Sequence, residues 1–311
     1  MNRREFIRSA TITTSALIAG GIGFYSNQRR VIILSLVGGN DGLNTVVPYK
    51  EDLYFKSRPT IALHPNELIH ISDTLGFHPS LEHLRGVWDQ GFMTVINNVG
   101  FQVPEATHQQ AILNWQNETL LAKEGVEQNK RETAMGNMLT LPGGPKDTET
   151  RTSSSYPAHA FAQQLQKIAR SIQSGSSTIL YQASLSGFDT PVDQLSQHAA
   201  LLDTFARSVK ALIADLRSSG HFQDTAILSY SEFGRTLQEN KSGGTHHGAG
   251  NCLFLFGERL QTPGVFNESR LSAAEHGGMP VTIDYRCVYA SLRNQWLGGS
   301  SSATFEPLAL F

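Results

Sequence analysis

Cysteine is nearly absent from this chain, which has two in 311 residues, Cys252 and Cys287, and no Cys-x-x-Cys pair. That excludes a disulfide-built scaffold, a zinc ribbon and a thioredoxin-like redox motif. Both cysteines sit in apolar surroundings, so two buried free thiols are expected, although an oxidising compartment would permit a bond. Excess positive charge is absent as well. Lys+Arg 25 against Asp+Glu 27 gives a formal net charge of −2, which offers no basic field for a polyphosphate backbone and argues against nucleic acid as a partner. Charged residues make up 17% of the chain, below the roughly 25% of typical soluble domains. The apolar content, 40%, is ordinary and excludes disorder and collagen-like repeats. The sequence contains no GxSxG, HExxH, P-loop or GxGxxG motif, which counts against the common hydrolase, zincin, NTPase and dinucleotide classes.

The N-terminus is where the chain becomes specific. Arg3 and Arg4 precede Phe6 and Ile7, and a weakly apolar stretch from Ser9 to Tyr25 follows, diluted by Thr, Ser and Gly. A charged head, an arginine pair at the join and a modest apolar middle make residues 1–30 a twin-arginine export signal, so a periplasmic location is expected. No clean small-x-small cleavage site is visible; the segment is either cut or kept as an anchor. Beyond it no apolar stretch reaches the roughly 20 residues of a membrane span. Residues 31–311 are expected to form a single domain, interrupted by a polar loop at about 122–156 that carries Pro142-Gly-Gly-Pro145 and Ser153-Ser-Ser155.

That body alternates strands and helices. Val31 to Val37 is a continuous β-branched run closed by Gly38-Gly39-Asn40-Asp41-Gly42, as expected of a strand buried on both faces. Four further strands are predicted at Phe92–Val99, Thr178–Ser184, Thr225–Tyr230 and Cys252–Phe256. Apolar residues at three- and four-residue spacing predict helices over Ala158–Ser174 and Gln194–Ser218, and a last helix over Arg286–Leu297. This alternation indicates the α/β class: a doubly wound, mostly parallel sheet with helices on both faces.

Asp41, Asp189 and Glu232 each fall just after a predicted strand, in a turn that contains glycine. In an open parallel sheet the carboxyl ends of the strands share one rim, and ligands bind there. Three carboxylates converging on one cleft repel each other unless they share a proton or bind a cation. His246 and His247, in Gly243-Gly-Thr-His-His-Gly248, would add imidazole nitrogen. A mixed carboxylate and imidazole set suits Zn, Mn or Fe better than Ca or Mg. The plainer possibility is that each acid caps a helix or forms a turn. His198 is expected to pack or lie at the surface rather than to act as a ligand, and His64, His70, His78 and His83 receive no role.

The blocks Gly38-Gly-Asn-Asp-Gly-Leu-Asn-Thr-Val-Val-Pro48, Gly187-Phe-Asp-Thr190, Ser231-Glu-Phe-Gly-Arg235 and Gly243-Gly-Thr-His-His-Gly248 together resemble a domain-of-unknown-function family of twin-arginine-exported bacterial proteins. That family is related to the alkaline phosphatase and sulfatase superfamily. The resemblance runs from the signal to about residue 115 and resumes near Phe161. It implies an alkaline-phosphatase-like core, with Asp41, Asp189, Glu232 and His247 as metal ligands and His108 nearby. It also implies Thr107 as nucleophile, where Ser is usual. Arg235 would then pair with an anionic ester substrate. Three positions depart from the pattern. Asp189-Thr190-Pro191 stands where Asp-Thr-His is usual, His246 where an acid is usual, and Asn114 where an acid is common.

A hydrolase-like divalent-metal site is the first expectation, and a non-catalytic role is the alternative. The first describes a metal-dependent hydrolase of phosphate or sulfate esters. The second describes a catalytically degenerate periplasmic protein that binds a companion, encoded nearby as the resemblance implies, or serves envelope assembly.

Overall fold

The computed structural model describes residues 29–100, 155–176, 178, 180–272, 278–298 and 305–311. The export segment, Thr107, His108 and nearly all of the 122–156 loop lie outside the described residues.

The first apolar run forms β1 (Arg30–Val37), followed by the four-residue helix α1 (Gly42–Thr45), β2 (Val46–Val47) and α2 (Asp52–Ser57). Two short strands, β3 (Ile69–His70) and β4 (Gly76–Phe77), form a small separate sheet with β2. The helix α3 (Arg85–Asp89) leads into β5 (Met93–Gly100). The two amphipathic patterns become α4 (Ala160–Gln173) and α5 (Gln194–Ser218), on either side of β6 (Leu180–Ser186). The chain continues through β7 (Thr225–Tyr230), β8 (Gly234–Glu239), β9 (Thr245–Gly248), β10 (Asn251–Phe256), β11 (Gly264–Val265) and β12 (Ile283–Asp284). It closes with α6 (Tyr285–Ser291) and a π-helical turn, Leu292–Trp296.

The central sheet has the order β11-β5-β10-β7-β1-β6, with β12 also on β5. β1 pairs in parallel with both β6 and β7, whereas β10 is antiparallel to both β5 and β7. The sheet is thus mostly parallel, with β10 the antiparallel member. The unbroken apolar run of β1 is explained by cover on both faces. Ile32, Leu34 and Leu36 pack into the core beneath α4 and α5, while Val31 and Ile33 pack against Tyr285, Val288, Leu292 and Trp296.

β6 differs from β1 in burial, and it begins and ends two residues later than the predicted Thr178–Ser184. It is a sheet edge, and burial alternates along it: Tyr181, Ala183 and Leu185 are buried while Leu180, Gln182 and Ser184 are half-exposed. The Gln164 side chain covers part of that edge, accepting from Ser184 N at 3.1 Å and donating to Ser184 O at 3.4 Å. The cysteines are separate thiols, Cys252 buried and Cys287 half-exposed, so neither a bond nor two buried thiols is found.

The parallel trio β6-β1-β7 matters most for function, because its three carboxyl ends lie at one rim. The turn after β6 is tied to the end of β1, since Gly187 N and Phe188 N both donate to Val37 O, at 3.2 and 3.1 Å.

Candidate functional site

The rim is built around Gly38 and Gly39, whose φ values of 121° and 84° are open to glycine at little cost. A Cβ at Gly38 would lie 2.3 Å from Asp189 N, and one at Gly39 would lie 2.1 Å from the Phe233 ring. The close turn aims both glycine carbonyls at one guanidinium. Arg235 donates from Nε to Gly39 O at 2.7 Å and from Nη2 to Gly38 O at 2.6 Å. It also reaches Phe188 O, Thr245 O and Asp189 Oδ1. Its side chain is 1% exposed. Arg235 therefore ties together the Gly38–Gly39 turn, the turn after β6 and strand β9, and its buried N–H groups face these protein oxygens.

Asp189 and His247 are brought together as the sequence suggested. β8 and β9 pair antiparallel with Arg235 opposite His247, so these two share a face of the hairpin. His247 Nε2 lies 3.6 Å from Asp189 Oδ1, and its ring rests on Phe233 with centroids 4.5 Å apart. The Asp189 side chain is 54% exposed, so this corner is open to solvent. His246 does not join it. Adjacent residues of a strand face opposite ways, and His246 is exposed on the side away from His247.

Glu232 hangs from the same turn. Its Oε1 accepts from Gly38 N at 3.0 Å, and its Oε2 lies 3.2 Å from Ser231 Oγ. Burial of the carboxyl raises its pKa against these hydrogen bonds. The side chain is thus held as a brace between β1 and β7.

Asp41 has gone elsewhere. It is 1% exposed and caps α1, accepting from Leu43 N at 3.1 Å. Arg58, which nothing in the sequence marks as functional, grips both of its oxygens: Nη1 to Oδ2 at 2.7 Å and Nη2 to Oδ1 at 3.1 Å. Gln194 Nε2 donates to Oδ2 as well, and its own Oε1 accepts from Thr245 Oγ1 at 2.6 Å. Burial works to raise the Asp41 pKa, but the Arg58 charge and hydrogen bonds outweigh it and hold the carboxyl below its ordinary value. Asp41 thus takes up the plainer role, a helix cap.

A polar layer lies beneath Asp41. Asn251 Nδ2 donates to Asn40 O and Phe233 O, so its Oδ1 accepts from Cys252 N at 2.8 Å and from Asn40 Nδ2 at 3.4 Å. That orientation leaves Asn40 Oδ1 to accept from His198 Nε2 at 2.9 Å, and so places the proton of the neutral imidazole on Nε2. His198 is buried, as its packing role requires. Burial lowers its pKa to about 4, and burial with the neighbouring His198 lowers that of His78 to about 3.

The expected metal set does not fit these positions. Both Asp41 oxygens are saturated by a guanidinium, Glu232 is committed to Gly38, and His246 faces away. Among the described residues no group of three or more His, Cys, Asp or Glu could hold a metal ion. Shared placement at the rim was legible from the strand-end pattern. The partners were not, because Arg58 sits in a polar stretch before Pro59 that reads as surface, and Gln194 reads as an ordinary first helical residue. Thr107 and His108 fall outside the described residues.

A mostly parallel α/β sheet with polar side chains gathered at its carboxyl rim defines the class. Residues 100–281 match the model of a family described as a protein of unknown function, DUF1501, and the chain belongs to that family. No curated protein sequence matches the chain. Among solved structures it is similar to the C-terminal periplasmic domain of EcEptC from Escherichia coli in complex with Zn, at 14% identity and a TM-score of 0.37, over 75% of this chain and 74% of that one. It is also similar to the lipoteichoic acid synthase LtaP from Listeria monocytogenes, at 9% identity and a TM-score of 0.36, over 94% and 79%. A protein in the alkaline phosphatase superfamily from Vibrio parahaemolyticus aligns at 9% identity and a TM-score of 0.32, over 83% and 70%.

Proposed function

We propose that this chain is an exported, catalytically degenerate family member that uses its strand-end rim for binding, in the periplasm, rather than for ester hydrolysis. The observation that carries the reading is the saturated Asp41 carboxylate. Arg58 holds both of its oxygens at 2.7 and 3.1 Å in a site closed to solvent, and a divalent ion would have to displace a buried, fully bonded guanidinium. The open corner formed by Asp189 and His247 is the surface left for a companion protein of the cell envelope. The Arg3-Arg4 segment supports export, and among the described residues no helix is long and apolar enough to cross a membrane.

One observation favours the other reading. Asp189 and His247 form an exposed carboxylate–imidazole pair 3.6 Å apart, which is a fragment of the donor set a Zn, Mn or Fe hydrolase of phosphate or sulfate esters would need. One experiment separates the two. Protein purified without chelators is analysed for metal, then assayed on p-nitrophenyl phosphate and p-nitrophenyl sulfate with added Zn, Mn or Fe. The expected result is no stoichiometric metal and no turnover above an Asp189→Ala, His247→Ala control. Metal-dependent turnover that the control lacks would overturn the degenerate reading.

A further inference from the structure

We infer that the Arg58 guanidinium is the built-in cation of an all-oxygen cage, and that shortening this side chain opens a site for a guanidinium ion or a hard divalent cation from solution. The inference rests on the reading above that Asp41 is held by protein rather than by metal.

The cage is complete on inspection of its donors. Arg58 is fully buried, and each of its five N–H groups has an oxygen partner. Nε donates to Leu237 O at 2.9 Å; Nη1 to Asp41 Oδ2 and Asn44 Oδ1, both at 2.7 Å; Nη2 to Asp41 Oδ1 at 3.1 Å and Thr236 O at 2.8 Å. The five acceptors come from separate parts of the chain: the turn after β1, the α1 helix and strand β8. They are themselves held. Asn44 donates to Ile61 O at 2.8 Å and accepts from Tyr54 OH at 2.9 Å, Asp41 is anchored by Leu43 N and Gln194, and the two carbonyls belong to a strand. The Tyr54 ring lies 5.7 Å from the guanidinium carbon.

A carboxylate that presents both oxygens, an amide oxygen and two main-chain carbonyls make up the donor chemistry of hard, oxygen-seeking cations such as Ca²⁺. It contains none of the nitrogen or sulfur that Zn²⁺ sites favour. The chemistry therefore differs from the carboxylate–imidazole set that the sequence suggested. Because the acceptors are pinned by other bonds, removal of the guanidinium leaves an anionic, pre-shaped cavity. Planar guanidinium matches it best, and Ca²⁺ can use the same oxygens with water.

The test follows thermal unfolding of full-length wild type, Arg58→Ala and the double variant Asp41→Asn/Arg58→Ala. Each is measured in EDTA, in 20 mM (~0.02 M) guanidinium chloride, far below the molar denaturing range, and in millimolar CaCl₂. For wild type, none of these additions is expected to raise the midpoint. Arg58→Ala is expected to melt well below wild type, and to regain at least about 4 °C with guanidinium or Ca²⁺ at saturation. ZnCl₂ should restore less, and the double variant, which lacks the carboxylate, should not respond. If Arg58→Ala does not fold during expression, it is refolded from urea with and without each cation, and cation-dependent recovery is the supporting result. No response to either cation, in melting or in refolding, overturns the inference. Metal-dependent hydrolysis by wild type would instead overturn the proposed function, and it is read on a different protein by a different assay.

Discussion

Two carboxylates lie just after neighbouring parallel strands and end in opposite states. Asp41, after β1, is sealed with both oxygens clamped by Arg58. Asp189, after β6, keeps more than half of its side chain in water and meets Arg235 and His247 at 2.9 and 3.6 Å. The difference comes from sheet position. β1 is flanked by β6 and β7 and covered on both faces, so the turn at its carboxyl end is roofed by β8 and α5; β6 is an edge, and its own turn stays at the surface. A shared rim therefore does not make a shared site. The protein answers each acid separately, Asp41 with a guanidinium and Glu232 with a main-chain N–H.

The largest predicted effect strikes the sealed corner. Arg58→Met leaves a buried carboxylate without its cation, and Asp41→Asn leaves a buried guanidinium without its anion. Loss of one partner of a buried pair costs about 3–5 kcal/mol. The double variant Asp41→Asn/Arg58→Met removes both charges and should lose less than the sum of the single variants, as measured by urea denaturation. Additive losses would mean that the two groups are not each other's principal partners.

Gly38 joins the two corners, so it comes next. Gly38→Ala places a methyl 2.3 Å from Asp189 N, in a turn where φ is 121°. The obstruction is main chain and cannot rotate aside. Strain at such a position costs on the order of 1–3 kcal/mol before the overlap is counted, and it should lower the midpoint in the same denaturation assay. An Asp189 turn that tolerates the methyl without loss would show that the corners are not mechanically linked.

How much of this was readable beforehand depends on where the information resides. β1, β5, β7 and β10 stand within one or two residues of their predicted spans, and in β1 and β10 burial on two faces writes a nearly continuous apolar run. α5 starts at Gln194 and ends at Ser218 as the 3.6-residue rhythm indicates. The β8–β9 hairpin carries no such rhythm, since its strands are short and polar, and nothing in the sequence announces it. Asp41 is legible as a strand-end acid, but the side chain that grips it is not. Nothing local marks an arginine 17 positions away as the group that closes over it. Gln194, separated from Asp41 by 153 positions, is legible only once α5 and β1 are packed.

The sealed corner should also be the acid-labile one. His198 and His78 hold pKa values of about 4 and about 3 in the folded protein, against roughly 6.5 in the unfolded chain. As pH falls below about 6.5 the unfolded state takes up protons that the folded state refuses, so stability declines until the folded pKa values are reached. Each imidazole contributes about 1.4 kcal/mol per pH unit within that window. Glu232 has the opposite sign. Its raised pKa lets the folded state keep a proton that the unfolded state releases, so it adds stability at low pH that is lost as pH rises, and it offsets part of the histidine loss. A net decline in midpoint between pH 6.5 and 4 is expected, and His198→Gln should flatten it by about one imidazole's share. A midpoint that rises over this interval would remove the buried histidines from the account.

The smallest effect is predicted at the open corner. Asp189→Asn removes the charge while keeping the shape, and Arg235 retains Gly38 O, Gly39 O, Phe188 O and Thr245 O as acceptors. Water reaches the carboxylate of this pair, whose side chain is 54% exposed, so the urea midpoint should move less than with Asp41→Asn. High salt should shrink the difference further, since solvent ions screen an exposed pair far more than a buried one. A loss at Asp189 as large as that at Asp41 would mean that the guanidinium of Arg235 depends on this carboxylate for its charge balance. The open corner would then be a second structural seal, and no charged surface would remain at the rim for a partner to use.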